Sequence, residues 1–108
     1  MDIIHLDGVT GVPAQPGLVR RVLAHSGELM LVHNTLQAGT FLPWHHHPHQ
    51  QIVYVQSGEM QLHCEGQERL MRAGDSCVIP SDVPHAVTAL TDTIALDTFT
   101  PARADFIQ

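Results

Sequence analysis

The segment QIVYVQSGEMQLHCE, residues 51–65, decides the fold class of this chain. Residues 51–56 are rich in β-branched and aromatic side chains, which favour β-strands. Ser57 and Gly58 are typical of a tight turn. Polar and apolar side chains then alternate over residues 59–65, which is the period of a half-buried strand. The segment therefore predicts a β-hairpin.

The same period of two continues on both sides of this hairpin, and Gly, Pro, Ser or Asp stands at most of the junctions. The predicted strands cover residues 18–24, 28–37, 51–56, 59–65, 68–72, 76–79, 85–90 and 93–100. Residues 101–105 offer one turn of helix at most. Many short strands with this punctuation favour an all-β fold, and a jelly-roll β-barrel is the architecture expected at this size.

Length and charge exclude several classes of function. With 108 residues, 44% of them hydrophobic, the chain is predicted to form a single domain over residues 1–108, with an N-terminal arm at 1–16 and a barrel and tail at 18–106. All five basic residues are arginines, so lysine Schiff-base chemistry and a Walker-type phosphate loop are excluded. A net charge of -6 argues against nucleic-acid and anionic-membrane partners. Since no long apolar run and no leader peptide are recognisable, we predict a cytoplasmic protein.

The distribution of histidines indicates a metal site, because six of the nine lie between residues 45 and 85. His45, His47 and Gln51 are spaced to share one face of a strand. His85 begins another predicted strand, which we expect on the opposite wall of the barrel. Three imidazoles and one amide oxygen suit a divalent transition metal, and Ni, Zn, Fe, Mn and Co all remain open.

Two further histidines and both cysteines are not predicted to bind the metal. His46 has the opposite strand parity and is expected to face solvent. His49 follows the bend expected at Pro48 and is a candidate for a role behind the metal ligands or facing a substrate. Cys64 and Cys77 have no zinc-site spacing and are expected to be free, packed thiols.

Two spacings resemble the motifs of the cupin family. Gly39-x5-His45-x-His47-x3-Gln51-x6-Gly58 resembles the first motif, and Gly74-x5-Pro80-x4-His85 resembles the second. The resemblance implies a small β-barrel whose inner walls hold one metal ion per chain. The residues that it implies as ligands are His45, His47, Gln51 and His85.

The sequence departs from the cupin pattern at three positions. Gln51 stands where most cupins carry glutamate, Asp82 replaces a glycine, and Ala89 replaces an asparagine. The first departure changes the site, because a neutral amide leaves the charge of a divalent metal uncompensated. Such a site favours an anionic ligand and disfavours oxygen activation. The alternative is that Gln51 only forms hydrogen bonds and three histidines hold the metal.

The last predicted strand suggests a catalytic set. Asp97 and Phe99 share one face of it, and Arg103 follows shortly afterwards. Taken alone, this pattern also fits an edge strand with a salt bridge in solvent. However, LDTFTPARADF, residues 96–106, resembles the tail of the pectin-degradation cupins of the KdgF family, as do residues 21–25 and 47–51.

This resemblance implies an isomerase- or tautomerase-like metalloenzyme. It would convert 4,5-unsaturated uronates, released by pectate or alginate lyases, into linear keto forms. In that reading Asp97 transfers protons, Arg103 binds the substrate carboxylate and Phe99 forms an apolar wall, while Gln50 or His49 could orient a hydroxyl. The expected partners are a small anionic sugar and a second copy of the chain in a homodimer. The alternatives are a metal-dependent dioxygenase, a small polyketide cyclase and a non-enzymatic sugar-binding cupin.

Overall fold

The computed structural model describes residues 1–107, and within them ten β-strands alternate with short turns. The strands are β1 Val12–Gln15, β2 Leu18–His25, β3 Met30–Leu36, β4 Phe41–His45, β5 Gln50–Ser57, β6 Glu59–Cys64, β7 Gln67–Arg72, β8 Ser76–Ile79, β9 His85–Ala89 and β10 Thr93–Thr100. Single turns of 3₁₀-helix cover Leu6–Gly8 and Ala104–Phe106, the second of which overlaps the helical turn predicted at 101–105. No helix in this part of the chain is long and apolar enough to cross a membrane.

The strands form two antiparallel sheets that pack face to face. One sheet has six strands in the order β1-β2-β3-β10-β5-β8, and the other has four in the order β4-β9-β6-β7. The β-hairpin predicted over residues 51–65 is wrong, because β5 and β6 follow each other through the turn at Gly58 but do not pair. β5 lies in the first sheet and β6 in the second, so the turn links the two sheets. This arrangement confirms the predicted all-β, jelly-roll fold.

Alternation along β5 and β6 builds the core between the two sheets. On β5, Val53 and Val55 are buried whereas Ile52 and Tyr54 are exposed. Val53 and Val55 join a cluster of buried side chains that includes Met60 of β6. Because successive side chains of a strand point to opposite faces, one period-two segment supplies core to both sheets.

Two strands, β1 and β4, were not predicted from the sequence. β1 lies within the predicted N-terminal arm and pairs with β2, so it forms one edge of the six-stranded sheet. β4 forms one edge of the four-stranded sheet. Each carries a proline, Pro13 in β1 and Pro43 in β4, which lowers the strand signal of a sequence yet is tolerated at an edge.

The turn at Gly58 requires glycine for two reasons. Its φ is +84°, and a Cβ there would lie 2.2 Å from the backbone oxygen of Asp92. Gly66 also has a positive φ, of +73°, but a Cβ there meets nothing within 4 Å. We expect Gly66→Ala to lower the free energy of unfolding by about 1–2 kcal/mol from backbone strain alone. Gly58→Ala should cost about 1–3 kcal/mol more from crowding.

Urea denaturation of both variants and the wild-type protein measures this difference. Equal losses for the two variants would show that the contact with Asp92 relaxes without cost.

Candidate metal centre

Three histidines converge where the two sheets meet. His45 ends β4 and pairs in register with His85, which begins β9, and their ring centroids are 4.2 Å apart. His47 lies in the loop after β4, with its ring centroid 5.3 Å from that of His85. One ring nitrogen from each histidine lies within 4.8 Å of those of the other two. This is the arrangement of a group that can hold one metal ion.

The backbone fixes the orientation of all three rings. Their Nδ1 atoms lie 2.8, 3.0 and 2.9 Å from backbone carbonyl oxygens of Pro43, His49 and Val83 respectively. Because a carbonyl only accepts, each Nδ1 carries the proton and donates, which leaves each Nε2 with a free lone pair. Nδ1–H bonds of this kind orient the histidine ligands of metals.

Burial keeps the inner histidines neutral. Desolvation lowers the pKa of His85 to about 4, and it also lowers the pKa of His47. The Nε2 atom of His85 is buried and has no hydrogen-bond partner among residues 1–107. A buried lone pair without a donor costs free energy unless a cation accepts it, so this atom fits a metal ligand.

Gln51 completes the cluster from the opposite sheet. It lies on β5, and its Oε1 is 3.1 Å from Nε2 of His47. Its Nε2 donates a hydrogen bond of 2.8 Å to Asp97, which fixes the carbonyl end towards His47. Oε1 of Gln51 and the unprotonated Nε2 of His47 are both acceptors, and a cation between them resolves the contact. The donor set therefore fits a divalent transition metal.

The path of the chain to these residues differs from the sequence-based expectation. The prediction that His45, His47 and Gln51 share one face of a single strand is wrong, because a loop separates β4 from β5 and places Gln51 on the other sheet. The prediction that His85 faces His45 across the barrel is also wrong, since the two are paired neighbours in one sheet. His85 lies across the barrel from Gln51 instead.

Asp97 lies beside Gln51 on the neighbouring strand. Its Oδ1 accepts from Gln51, and its Oδ2 accepts from Nδ2 of Asn34 at 2.8 Å. Burial raises the pKa of Asp97 to about 6, although both amide hydrogen bonds oppose this shift. A hydrogen-bonded series of side chains thus runs from Asn34 through Asp97 to Gln51, whose Oε1 faces His47.

Phe99 and Arg103 lie next to these hydrogen-bonded side chains. Phe99 is buried, and its ring centroid lies 5.6 Å from that of His47. Arg103 binds Asp105 through two hydrogen bonds, Nε to Oδ1 at 3.0 Å and Nη2 to Oδ2 at 2.7 Å. This ion pair lowers the pKa of Asp105. One edge of the Arg103 guanidinium, which the sequence predicts to bind substrate, is therefore already occupied.

A cavity of about 100 Å³ connects these groups. Apolar core side chains line one part of it, and its polar lining includes His45, Gln51, His85, Asp97, Arg103 and Arg20. Arg20 is a residue that sequence reasoning missed. Asp97 is the one carboxyl group among the lining residues.

The neighbouring histidines differ in their surroundings. The side chain of His46 is 66% exposed, which confirms its predicted orientation towards solvent. The ring of His49 is half-buried, 6.4 Å from the Phe99 ring, and its backbone carbonyl orients His47. The backbone of His49 thus supports the histidine cluster, and the role of its side chain stays a prediction.

These features define a class of protein. Residues 32–99 match the model of the cupin domain family. Together with the two-sheet fold and the histidine cluster, this match makes the chain a single-domain cupin.

Comparison with individual proteins identifies the family within the cupins. The chain is 33% identical over 93 residues to pectin degradation protein KdgF of Dickeya dadantii (strain 3937), covering 84% of each protein. The structure of KdgF from Halomonas sp. matches 99% of both chains with 30% identity and a TM-score of 0.94. An RmlC-like cupin from Shewanella frigidimarina NCIMB 400 matches 99% of this chain and 96% of its own, with 33% identity and a TM-score of 0.94. The chain belongs to the KdgF family of cupins.

Proposed function

We propose that this protein is a metal-dependent enzyme of pectin or alginate degradation that converts 4,5-unsaturated uronates into linear keto forms. The observation that carries the proposal is one cavity whose lining combines His45, Gln51 and His85 with the Asp97 carboxyl group and two arginine side chains. Such a cavity suits a small anionic sugar. The membership in the KdgF family supports the same substrate class, since a relative bears the name pectin degradation protein.

The ligands of the metal would be His45, His47, Gln51 and His85, which supply three imidazole nitrogens and one amide oxygen. A divalent ion bound there would act as a Lewis acid and stabilise negative charge that develops on a substrate oxygen. The neutral donors leave its charge to be balanced by the substrate and by Asp97.

Asp97 is the proposed proton-transfer group. It would accept the proton of the hydroxyl on the anomeric carbon as the ring C–O bond breaks and the aldehyde forms. The electron pair of the broken bond remains on the C5 oxygen as an enolate. Asp97 would then deliver the proton to C4, which yields the C5 ketone. Atoms and electrons balance, and neither oxygen nor another oxidant is consumed.

Residues 99–106, near the C-terminus, would form the part of the site that contacts the sugar ring. Phe99 would pack against the sugar ring, and its contact with the His47 ring ties this wall to the metal cluster. Arg103 would add positive charge at the cavity through the Nη1 group that Asp105 leaves free. Its guanidinium carbon also lies 4.2 Å from the Phe106 ring centroid, which holds the tail in place.

The proposal extends to assembly and location. A homodimer is favoured because β1 and β8 are sheet edges and Ile52, Tyr54 and Val78 are exposed on β5 and β8. A cytoplasmic location agrees with the free thiols of Cys64 and Cys77.

Purified, metal-loaded protein is expected to accelerate the loss of ultraviolet absorbance of a 4,5-unsaturated uronate monomer. The absorbance falls because C4 protonation removes the double bond conjugated with the carboxylate. An oxygen electrode should record no uptake during turnover, since the reaction is an isomerisation.

Oxygen uptake that matches substrate loss would replace this proposal by a dioxygenase. Protein stripped of metal serves as the control, and it should lack the acceleration.

A further inference from the structure

Arg20 lies on the inner face of the six-stranded sheet, beside the hydrogen-bonded side chains of Asn34 and Asp97. It pairs in register with Asn34 on β3, so the two side chains share a face. Asn34 in turn binds Asp97. Arg20 lines the same cavity as His45, His85 and Asp97. It therefore places a permanent positive charge in that cavity.

The two arginines of the cavity differ in what they bind. Arg103 uses Nε and Nη2 for its bidentate pair with Asp105. The Nε atom of Arg20 is buried and has no hydrogen-bond partner among residues 1–107. The guanidinium carbon of Arg20 lies 3.8 Å from the centroid of the Phe106 ring, which fixes the plane of the guanidinium group without satisfying its donors. A buried guanidinium donor without an acceptor is a costly arrangement unless a ligand supplies one.

The charges around Phe106 also do not balance. Arg20 and Arg103 contribute two positive charges, and Asp105 contributes one negative charge, which it shares through an ion pair with Arg103 alone. Burial lowers the pKa of Arg20 below its ordinary value, the Asp105 carboxylate opposes this shift, and the charge of Arg103 adds to it. Among Arg20, Arg103 and Asp105, the charge of Arg20 has no ion-pair partner, and a ligand carboxylate would provide one.

We propose that Arg20 is the principal binding residue for the carboxylate of a sugar acid, with Arg103 held mainly by Asp105. The proposal rests on the function proposed above, and it assigns the anionic group of the substrate to the Arg20 end of the cavity. The planar guanidinium group of Arg20 can donate two parallel hydrogen bonds to a carboxylate.

Calorimetric titration with D-galacturonate and with D-galactose tests this assignment without requiring turnover, because neither sugar has the 4,5 double bond. The wild-type protein, as purified with its metal, should bind the uronate more tightly than the neutral sugar. Arg20→Met keeps the length of the side chain but removes its charge. It should weaken uronate binding by about 10- to 100-fold, which is the effect of losing a charge-assisted contact. Binding of galactose should remain unchanged.

Arg21→Met is the matched control, since Arg21 follows on the same strand with its Nε donating to the carbonyl of Val9. It should bind the uronate within about twofold of the wild type, as expected for a side chain outside the site. Arg20→Lys, which keeps the charge but loses the fork, should give an intermediate affinity.

Three outcomes would overturn the assignment: no preference for the uronate in the wild type, equal uronate affinity of Arg20→Met and wild type, or equal losses for both sugars. A crystal structure of the wild-type complex with galacturonate needs no variant, and a carboxylate bound to Arg103 instead of Arg20 would also overturn it. Absence of turnover together with a uronate-specific loss in Arg20→Met would refute the proposed reaction and leave this assignment standing.

Discussion

Replacing His47 by alanine is expected to weaken metal binding by at least about 100-fold, because even indirect partners of a metal ligand contribute 10- to 100-fold. The variant removes the nitrogen that faces Oε1 of Gln51 at 3.1 Å. The remaining donors would be two histidines on one sheet and an amide on the other. Elemental analysis after dialysis, and titration of the metal-free protein with Zn²⁺ or Ni²⁺, measure the loss. Turnover of the unsaturated uronate should disappear with the metal.

The adjacent histidine provides the matched control. His46 differs from His47 by one position, but its side chain is exposed and lies 4.0 Å from an oxygen of Asp82. His46→Ala should therefore keep the metal content of the wild type. Similar metal content in all three proteins, or an equal loss in both variants, would show that the metal lies elsewhere.

The residues that converge on the histidine cluster could be predicted from the sequence because the spacing of glycines, histidines and glutamine is a local pattern. The route by which the chain brings these residues together could not. A period of two predicts which residues share a face only while the strand continues, and the strand ends at His45. The loop that contains Pro48 then carries the chain from the four-stranded to the six-stranded sheet. Pro48 was the available signal of this break.

Arg20 shows a different limit of sequence reasoning. Residues 18, 20 and 22 alternate with 19, 21 and 23, and each set contains one arginine and two apolar side chains. The pattern therefore predicts a strand without indicating which arginine faces the interior. Only pairing with Asn34 on β3, and contact with Phe106 near the other end of the chain, resolve this choice. Long-range contacts of this kind leave no trace in local periodicity.

The proposed neutral ligand, Gln51, is hydrogen-bonded to Asp97. In a cupin with a glutamate ligand, the negative charge would touch the metal directly. Here the amide of Gln51 stands between the metal cluster and the Asp97 carboxylate, with its oxygen towards His47 and its nitrogen towards Asp97. In the proposed site, the negative charge would thus lie one residue away from the metal, where a carboxyl group could exchange protons with a substrate instead of acting as a ligand.

Asp97→Asn tests this division of roles. It should lower turnover of the unsaturated uronate by about 10²- to 10⁴-fold, the usual contribution of a general acid–base group. Metal content should remain that of the wild type, because the asparagine Oδ1 can still accept from Gln51 while Asn34 turns its own amide to accept from the new Nδ2. Rate measurements at saturating substrate, combined with elemental analysis of the same sample, separate the two effects.

A matched control makes the same change of charge outside the cavity. The side chain of Asp7 is 89% exposed, so Asp7→Asn should turn over substrate at the wild-type rate. If Asp97→Asn were as fast as the wild type, Asp97 would have no part in proton transfer, even with the reaction itself established. If it lost turnover and metal together, Asp97 would act by holding Gln51 in its ligating orientation, and the proton would have to pass through another group at the cavity. Only a slow enzyme with its full metal content assigns the proton to Asp97.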